Sequence, residues 1–160
     1  MLMPTIRMRN SRTDDSEIFR LIRTELMPLA HSVHPLDAHA VRELPVRFRT
    51  GKTYVAAAGK TSKPYGFVHF EQYGPLLYID MLVTHPHHRN REWGKKLMAS
   101  CEAYGSTHQC THAKLFVDDI NTKAQRFYTR LGYQAVRYDP ELRCYEMVKT
   151  LAPPQPQSGI

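Results

Sequence analysis

The chain has 160 residues, of which 42% are hydrophobic, and it carries a formal net charge of +7. This length is most simply a single domain, and the mean hydropathy of −0.48 is typical of a soluble globular protein. No apolar run reaches the ~18 residues of a membrane span. The N-terminal decapeptide MLMPTIRMRN lacks the hydrophobic core of a signal peptide. We therefore expect a cytoplasmic protein that does not contact the membrane.

The charge and the cysteines narrow the class of partner. An excess of 22 Lys and Arg over 15 Asp and Glu favours an anionic ligand. The basic residues are scattered apart from a cluster at 89–96, and no nucleic-acid-binding motif is present, so a small polyphosphate fits better than DNA or RNA. Three cysteines, an odd and sparse set, favour free thiols in a reducing compartment over a disulfide framework.

The first half of the chain predicts two helices and three strands. An alternating segment at 5–9 is typical of an edge strand, and an amphipathic pattern after Asp14-Asp15-Ser16 indicates a helix up to Leu26. Prolines break the next stretch, after which Asp37 is the expected cap of a second helix that Pro45 should interrupt. The remaining predicted elements of this half are strands at 53–59 and 65–72, joined by a turn.

The second half begins with the most informative stretch, LYIDMLVTHPHHRNREWGKKLM at 77–98. It reads as a strand, then a basic turn, then a helix with Trp93, Leu97 and Cys101 on one face, extending to about residue 105. A helix N-terminus behind a basic loop is a potential anion site, because its first N–H groups are free and the helix dipole is positive there. The later predicted elements are a strand at 113–117, a helix at 121–131 and a hairpin at 133–138 and 143–150.

Two motifs in this half resemble those of the GNAT (Gcn5-related) N-acetyltransferases. Arg89-x-x-Glu92-x-Gly94 resembles the family's motif A, Gln/Arg-x-x-Gly-x-Gly/Ala. About 27 residues later, Asn121-x-x-Ala124-x-x-Phe127-Tyr128-x-x-Leu131-Gly132-Tyr133 resembles motif B. The element order β-α-α-β-β-β-α-β-α-β-β also agrees with the family. We therefore predict one α/β domain at 1–151 with the GNAT acyl-CoA N-acyltransferase fold, a mixed central sheet with flanking helices, and a disordered Pro- and Gln-rich tail at 152–160.

The resemblance implies acetyl-CoA as co-substrate and assigns its binding residues. In the family the backbone N–H groups of motif A hold the pyrophosphate, and the matching positions are Arg89, Asn90, Arg91, Glu92, Trp93, Gly94 and Lys95. The backbone of Leu82, Val83 and Thr84 would pair with the pantetheine arm, which Asn121 also contacts while it caps its helix. Glu92 departs from the pattern, since glycine there permits close backbone approach and Glu adds a negative charge.

The implied reaction is direct transfer of an acetyl group to a primary amine of a small molecule or peptide. An amine with a pKa of ~10.4 is almost fully protonated at pH 7, so a base must remove its proton. Asp80 on the central strand is the candidate base, with Glu71, Asp118 and Asp119 as rivals; its alternative role is an ion pair with a nearby arginine. Tyr128 is the candidate acid for the thiolate leaving group, and its alternative role is core packing.

Other chemistries find less support in the sequence. The histidines at 85, 87 and 88, with His31 and His34, match no standard zinc spacing, so we expect no metal. Cys101 falls on an apolar helix face and is expected to be buried rather than nucleophilic. The acceptor site is expected between 27–49 and the closing hairpin near 138–145, and a homodimer is possible in the resembled family. The alternative function is a catalytically weak or inactive regulatory protein that binds CoA, which Glu92 would favour.

Overall fold

The computed structural model describes residues 5–29 and 38–153, with the backbone alone at 38–41 and 89–91. A π-helical turn at Ile22–Leu26 and short 3-10 helices at Met27–Leu29 and Pro86–Arg91 accompany the regular elements. In the described part of the chain these are β1 (Thr5–Met8), α1 (Ser11–Leu21), α2 (Ala38–Arg47), β2 (Lys52–Ala57), β3 (Gly66–Tyr73), β4 (Leu76–Thr84), α3 (Trp93–Thr107), β5 (His112–Asp118), α4 (Thr122–Arg130), β6 (Gln134–Asp139) and β7 (Cys144–Thr150).

The predicted element order and mixed α/β class are confirmed, with small shifts in the boundaries. One expectation was wrong: α2 runs through Pro45 without interruption. The proline lies in the last turn, where it removes a single hydrogen bond, and burial of Leu44 and Phe48 (6% and 3% exposed) holds this turn in place. The predicted cap Asp37 and most of the predicted tail, 154–160, lie outside the described residues.

The seven strands form one sheet in the order β1-β2-β3-β4-β5-β7-β6, with β4 and β5 parallel and the other neighbours antiparallel. The sheet separates two apolar clusters. One contains Leu97 and Cys101 of α3 with Leu115 of β5. The other contains Ile18 and Leu21 of α1 together with buried residues of α2 and β2–β4. Helices therefore cover both faces, as the GNAT-type prediction required.

A β-bulge in β4 reverses the direction of its side chains at Asp80. Phe70 of β3 pairs with Ile79 and His69 pairs with Met81, so Asp80 is the extra residue. Accordingly Ile79 belongs to the cluster around α3, whereas Met81 belongs to the cluster around α1 and α2. Strict alternation would have kept these two residues on one face. The bulge thus turns Asp80 towards α2 and Leu82 towards the α3 side.

The parallel strands β4 and β5 pair only at their beginnings. Leu76–Tyr78 pair with His112–Lys114, and beyond Tyr78 the two strands share no residue pair. Both strands continue, β4 to Thr84 and β5 to Asp118, so a gap opens between them in the middle of the sheet. Backbone groups of β4 that face this gap have no strand partner there.

Cys101, Cys110 and Cys144 are buried free thiols, and Cys101 is fully buried as predicted. Burial raises the pKa of the Cys101 thiol far above its usual value, so it stays protonated at neutral pH. Within 5–29 and 38–153, none of the helices has the length and hydrophobicity needed to cross a membrane.

Candidate active site

The gap between β4 and β5 is a cleft of about 90 Å³ with polar groups from three elements on its walls. Asp80 and Leu82 lie on the β4 side, Asp118 on the β5 side, and Asn121 and Tyr128 at the α4 side. The strand divergence and the bulge are what bring Asp80 and Tyr128 to one cavity. The structure therefore places both predicted catalytic side chains on the walls of the same cleft.

Tyr128 lies in this cleft as a buried phenol with no hydrogen-bond partner among the described residues. Its side chain is 8% exposed and packs edge-on against Phe127 and Tyr133, at centroid distances of 5.2 and 5.9 Å. Burial raises the pKa of Tyr128 well above that of a free phenol, so the hydroxyl remains a proton donor across the physiological range. A neutral phenol in a cleft is suited to donating a proton to a leaving group.

Asp80 is held by Arg47 from the end of α2. The Nε of Arg47 donates to Oδ2 at 2.9 Å and Nη2 donates to Oδ1 at 2.5 Å, a bidentate pair. The Asp80 side chain is 8% exposed, whereas that of Arg47 is 52% exposed. Burial lowers the pKa of Arg47, but the hydrogen bond with Asp80 and its charge outweigh this and raise it. Asp80 therefore has the arginine partner foreseen as its alternative role, and it also lines the cleft.

Behind Asp80 lies a fully buried histidine. His69 Nδ1 is 2.8 Å from Thr53 Oγ1, and Nε2 is 3.9 Å from Oδ2 of Asp80 with no hydrogen-bond partner among the described residues. Phe48 covers the imidazole at a centroid distance of 4.5 Å. Burial lowers the pKa of His69, although Asp80 opposes this, so the ring is neutral at pH 7. A neutral ring whose Nε2 carries the proton directs a positive dipole at the Asp80 carboxylate.

The backbone direction along β4 follows from one hydrogen bond at its end. His85 N–H donates to the Tyr65 carbonyl at 2.6 Å, which makes Gly66–Thr84 a non-hydrogen-bonded pair and Phe67–Val83 a hydrogen-bonded pair. The N–H and C=O of Val83 consequently face β3. Those of Leu82 and Thr84 face the opposite side, where β5 has diverged. Of the three predicted pantetheine-binding positions, Leu82 and Thr84 present open backbone edges.

Glu92 caps α3 in the left-handed conformation, with φ of 60° and ψ of 21°. A side chain is strained there because Cβ approaches the following carbonyl, and glycine is the residue that adopts this region freely. The resembled motif A has glycine at this position, whereas this chain has a glutamate in a conformation that favours glycine. The Glu92 side chain is exposed and makes no capping hydrogen bond.

The N-terminus of α3 has the donors expected of an anion site. Lys96 N–H is the first to bond back into the helix, to the Glu92 carbonyl at 3.0 Å, so the N–H groups of Trp93, Gly94 and Lys95 have no intrahelical acceptor. Lys95 is exposed, and Lys96 Nζ lies 4.6 Å from the centroid of the buried Trp93 ring. Arg89, Asn90 and Arg91 lie in the 3-10 helix that leads into this end.

Glycine at position 94 allows α3 to pack closely against α4. A Cβ there would lie 3.2 Å from Phe127 and 3.8 Å from the Thr84 side chain. Asn121 caps α4 as predicted, since its side-chain oxygen accepts from Ala124 N–H at 3.2 Å, and it lines the cleft. Gly94 thus lies beside Thr84 of the open strand edge, and Asn121 lines the cleft together with Leu82 of the same edge.

The other acids and one missed residue complete the site. Glu71 accepts hydrogen bonds from Thr50 and Tyr73, and Asp119 accepts one from Tyr138 at 2.8 Å, so each has a side-chain partner. Asp118 lines the cleft at the end of β5. Arg47 was not singled out from the sequence, because it lies 33 residues before Asp80 and nothing local links the two residues. No group of three or more His, Cys, Asp or Glu suited to a metal occurs among the described residues.

Residues 17–133 match the sequence model of the acetyltransferase (GNAT) family. The chain belongs to the GNAT acetyltransferase family. It is thus an acyltransferase, and the matched segment contains every predicted site residue. A search of curated proteins finds no significant sequence match.

Solved structures with a similar fold include several acetyltransferases. The Paia N-acetyltransferase of Thermoplasma acidophilum in complex with coenzyme A has a TM-score of 0.76 at 15% identity, over 93% of this chain and 99% of that one. Ard1 of Thermoplasma volcanium has a TM-score of 0.72 at 18% identity, over 94% and 99%. Nourseothricin acetyltransferase has a TM-score of 0.60 at 23% identity; this alignment covers 64% of this chain and 66% of that one. At these identities the likeness concerns the fold.

Proposed function

We propose that this GNAT protein transfers the acetyl group of acetyl-CoA directly to a primary amine in the β4–β5 cleft. The observation that carries the proposal is the gap itself, because it has an open strand edge on one wall and the Tyr128 hydroxyl and the Asp80 carboxylate on its lining. The coenzyme A bound in the structure of the Thermoplasma acidophilum relative supports this choice of co-substrate.

The chain offers a binding surface that fits acetyl-CoA along its length. The free N–H groups of Trp93, Gly94 and Lys95 suit a pyrophosphate, helped by the positive end of the α3 dipole. The open backbone edges of Leu82 and Thr84 suit the amide groups of a pantetheine arm, which would pair with them like an added strand. Asn121 stands at the α4 side of the same cleft. Arg89, Asn90 and Arg91 of the loop, with Glu92 as its left-handed cap, complete the proposed cofactor surface.

Acetyl-CoA supplies an activated acetyl thioester when it is bound. In the proposed mechanism Asp80 accepts a proton from the acceptor ammonium, directly or through water, so that the amine attacks in its neutral form. A backbone N–H on the open edge of β4 stabilises negative charge on the carbonyl oxygen. The Tyr128 hydroxyl donates its proton to the departing sulfur. The C–S bond breaks as the C–N bond is completed, and the second proton leaving the amine nitrogen restores the Tyr128 phenol, directly or through water. The products are an acetamide and a free thiol, and no enzyme nucleophile takes part.

Release of free thiol tests this function. Purified protein with acetyl-CoA and a panel of primary amines should release one thiol for each amine acetylated, as counted by mass spectrometry. Binding of acetyl-CoA by calorimetry without thiol release for any amine would favour the regulatory alternative. If the protein neither binds acetyl-CoA nor releases thiol with any amine, the proposed function is refuted.

A further inference from the structure

The Arg47 guanidinium has an unused edge beside Asp80, a residue that lines the cleft. A guanidinium carries five N–H donors, and Asp80 takes one from Nε and one from Nη2. The other three, two on Nη1 and one on Nη2, have no hydrogen-bond partner among the described residues. Because the side chain is 52% exposed, this edge is open to solutes.

Arg47 and Asp80 differ in how much of each side chain is exposed to solvent, and this difference bears on which amines can approach. The Asp80 side chain is 8% exposed and that of Arg47 is 52% exposed, so most of the solvent-facing surface of this ion pair belongs to the guanidinium. A solute that carries only positive charge is repelled there, and the chain's net charge of +7 adds to this. A solute with a carboxylate is attracted, and a planar carboxylate matches the fork of the free edge.

We propose that Arg47 binds a carboxylate of the acceptor, and that the acceptor is an amino-acid-like zwitterion whose amine lies one or two carbons from that carboxylate. The inference rests on the proposed function. Since Nη2 donates to Asp80 with one hydrogen and offers the other to the acceptor, the two carboxylates become neighbours. The acceptor ammonium then bridges them and reaches Asp80, whose oxygens have lone pairs that Arg47 does not use.

Charge balance at the site favours the same class. The charges of Arg47 and Asp80 cancel as a pair, so a zwitterion adds no net charge beside them, whereas an amine without a carboxylate adds one positive charge in a half-buried place. Two exposed apolar side chains also border the cleft: Leu29 and Phe116 are 38% and 39% exposed. These side chains suit an acceptor with an aliphatic or aromatic side chain.

Matched pairs of amines test the proposal on the unmodified protein. Leucine is compared with 3-methylbutylamine and phenylalanine with 2-phenylethylamine, each pair differing only by the carboxylate. The kcat/KM values are expressed per neutral amine, since the members of a pair differ in basicity. We expect the zwitterion to be preferred by about 30-fold or more, as for a close charge pair in a partly desolvated site.

Three variants locate this preference on the Arg47 fork. Arg47→Lys keeps the positive charge but loses the free guanidinium edge, and Arg47→Gln loses both the charge and that edge. In each variant the preference for the zwitterion over its matched amine should fall to within about three-fold. Arg49→Gln removes an exposed charge two residues away and should leave the preference for the zwitterion unchanged. Equal use of both members of each pair by the unmodified protein would overturn the inference while the proposed function stands. An unchanged preference in Arg47→Lys and Arg47→Gln would overturn it too, and no thiol release with any amine would overturn both proposals.

Discussion

Replacement of Glu92 by glycine tests the left-handed cap of α3 and the anion site together. A non-glycine residue in this conformation costs about 1–2 kcal/mol of stability, which glycine avoids. Glycine in turn costs about 0.4–1 kcal/mol, because it gives the unfolded chain more conformational entropy. Any favourable interaction of the Glu92 charge with the α3 dipole is lost equally in Glu92→Gly and Glu92→Gln. Glu92→Gly should therefore be more stable than Glu92→Gln by about 0.5–1 kcal/mol, which is about 1–4 °C in Tm for a domain of this size.

Acetyl-CoA binding should respond differently from stability. At a separation of about 8 Å in water, a carboxylate and a pyrophosphate with two charges repel by about 1 kcal/mol before salt screening. Loss of the Glu92 charge should thus tighten acetyl-CoA binding about two- to five-fold in both Glu92→Gly and Glu92→Gln. Calorimetry at two salt concentrations measures this, and the gain should shrink as the salt concentration rises.

A control residue separates backbone strain from charge. Gln109, just beyond α3, also has a positive φ, of 71°. Gln109→Gly should raise Tm in the same way as the change at position 92 but leave acetyl-CoA affinity unchanged. If Glu92→Gly and Glu92→Gln melt at the same temperature, the left-handed cap does not exist in solution. If neither alters acetyl-CoA affinity, the phosphates do not bind near this helix end.

The remaining predictions concern the cleft. Tyr128→Phe should lower kcat about 10- to 100-fold with acetyl-CoA affinity unchanged, because the hydroxyl would act only on the leaving group; an unaltered kcat would reassign Tyr128 to packing. Tyr133→Phe is its control: it loses a 2.8 Å hydrogen bond to Glu102 and should lower Tm but not kcat. Asp80→Asn should abolish most turnover while acetyl-CoA still binds, and retained turnover would exclude Asp80 as the base. Burial depresses the pKa of His69 below its ordinary 6.5, so the unfolded chain takes up a proton first as pH falls and stability drops below pH 6.5 by up to about 1.4 kcal/mol per unit. His69→Gln should remove this part of the drop, as measured by urea unfolding between pH 7.5 and 5.5, and an identical drop would show that His69 is not buried and neutral.

The sequence predicted the fold because its signals are local and agree with one another. The amphipathic patterns of α1 and α3, the breakers between strands and the two motifs each report on a few neighbouring residues. Tyr128 could be placed on the inner face of α4 by helical spacing, and Asn121 could be recognised as its cap. The two family motifs then assigned the chain to a fold with a mixed central sheet and flanking helices.

What the sequence did not reveal depends on contacts between distant residues. The bulge at Asp80 exists only in the register of β4 against β3, and no residue type announces it. The ion pair with Arg47 joins elements 33 residues apart, and no local pattern in the sequence couples them. Which of Leu82 and Val83 turns its backbone N–H and C=O towards the gap depends on the alternation of hydrogen-bonded pairs between β3 and β4. The hydrogen bond from His85 N–H fixes this alternation, and composition does not encode it. The left-handed conformation of Glu92 was not predicted either, although glycine, the residue of motif A at this position, is the type that adopts it freely.

Residue-resolved amide exchange, followed by NMR with and without acetyl-CoA, tests most directly whether the cofactor pairs with the open edge of β4. In the free protein the Val83 N–H should already be protected by β3, and those of Leu82 and Thr84 should exchange faster. On saturation with acetyl-CoA we expect at least one of Leu82 and Thr84 to become protected, with Val83 little changed. Bound acetyl-CoA that leaves both of these amides as exposed as before would contradict the account.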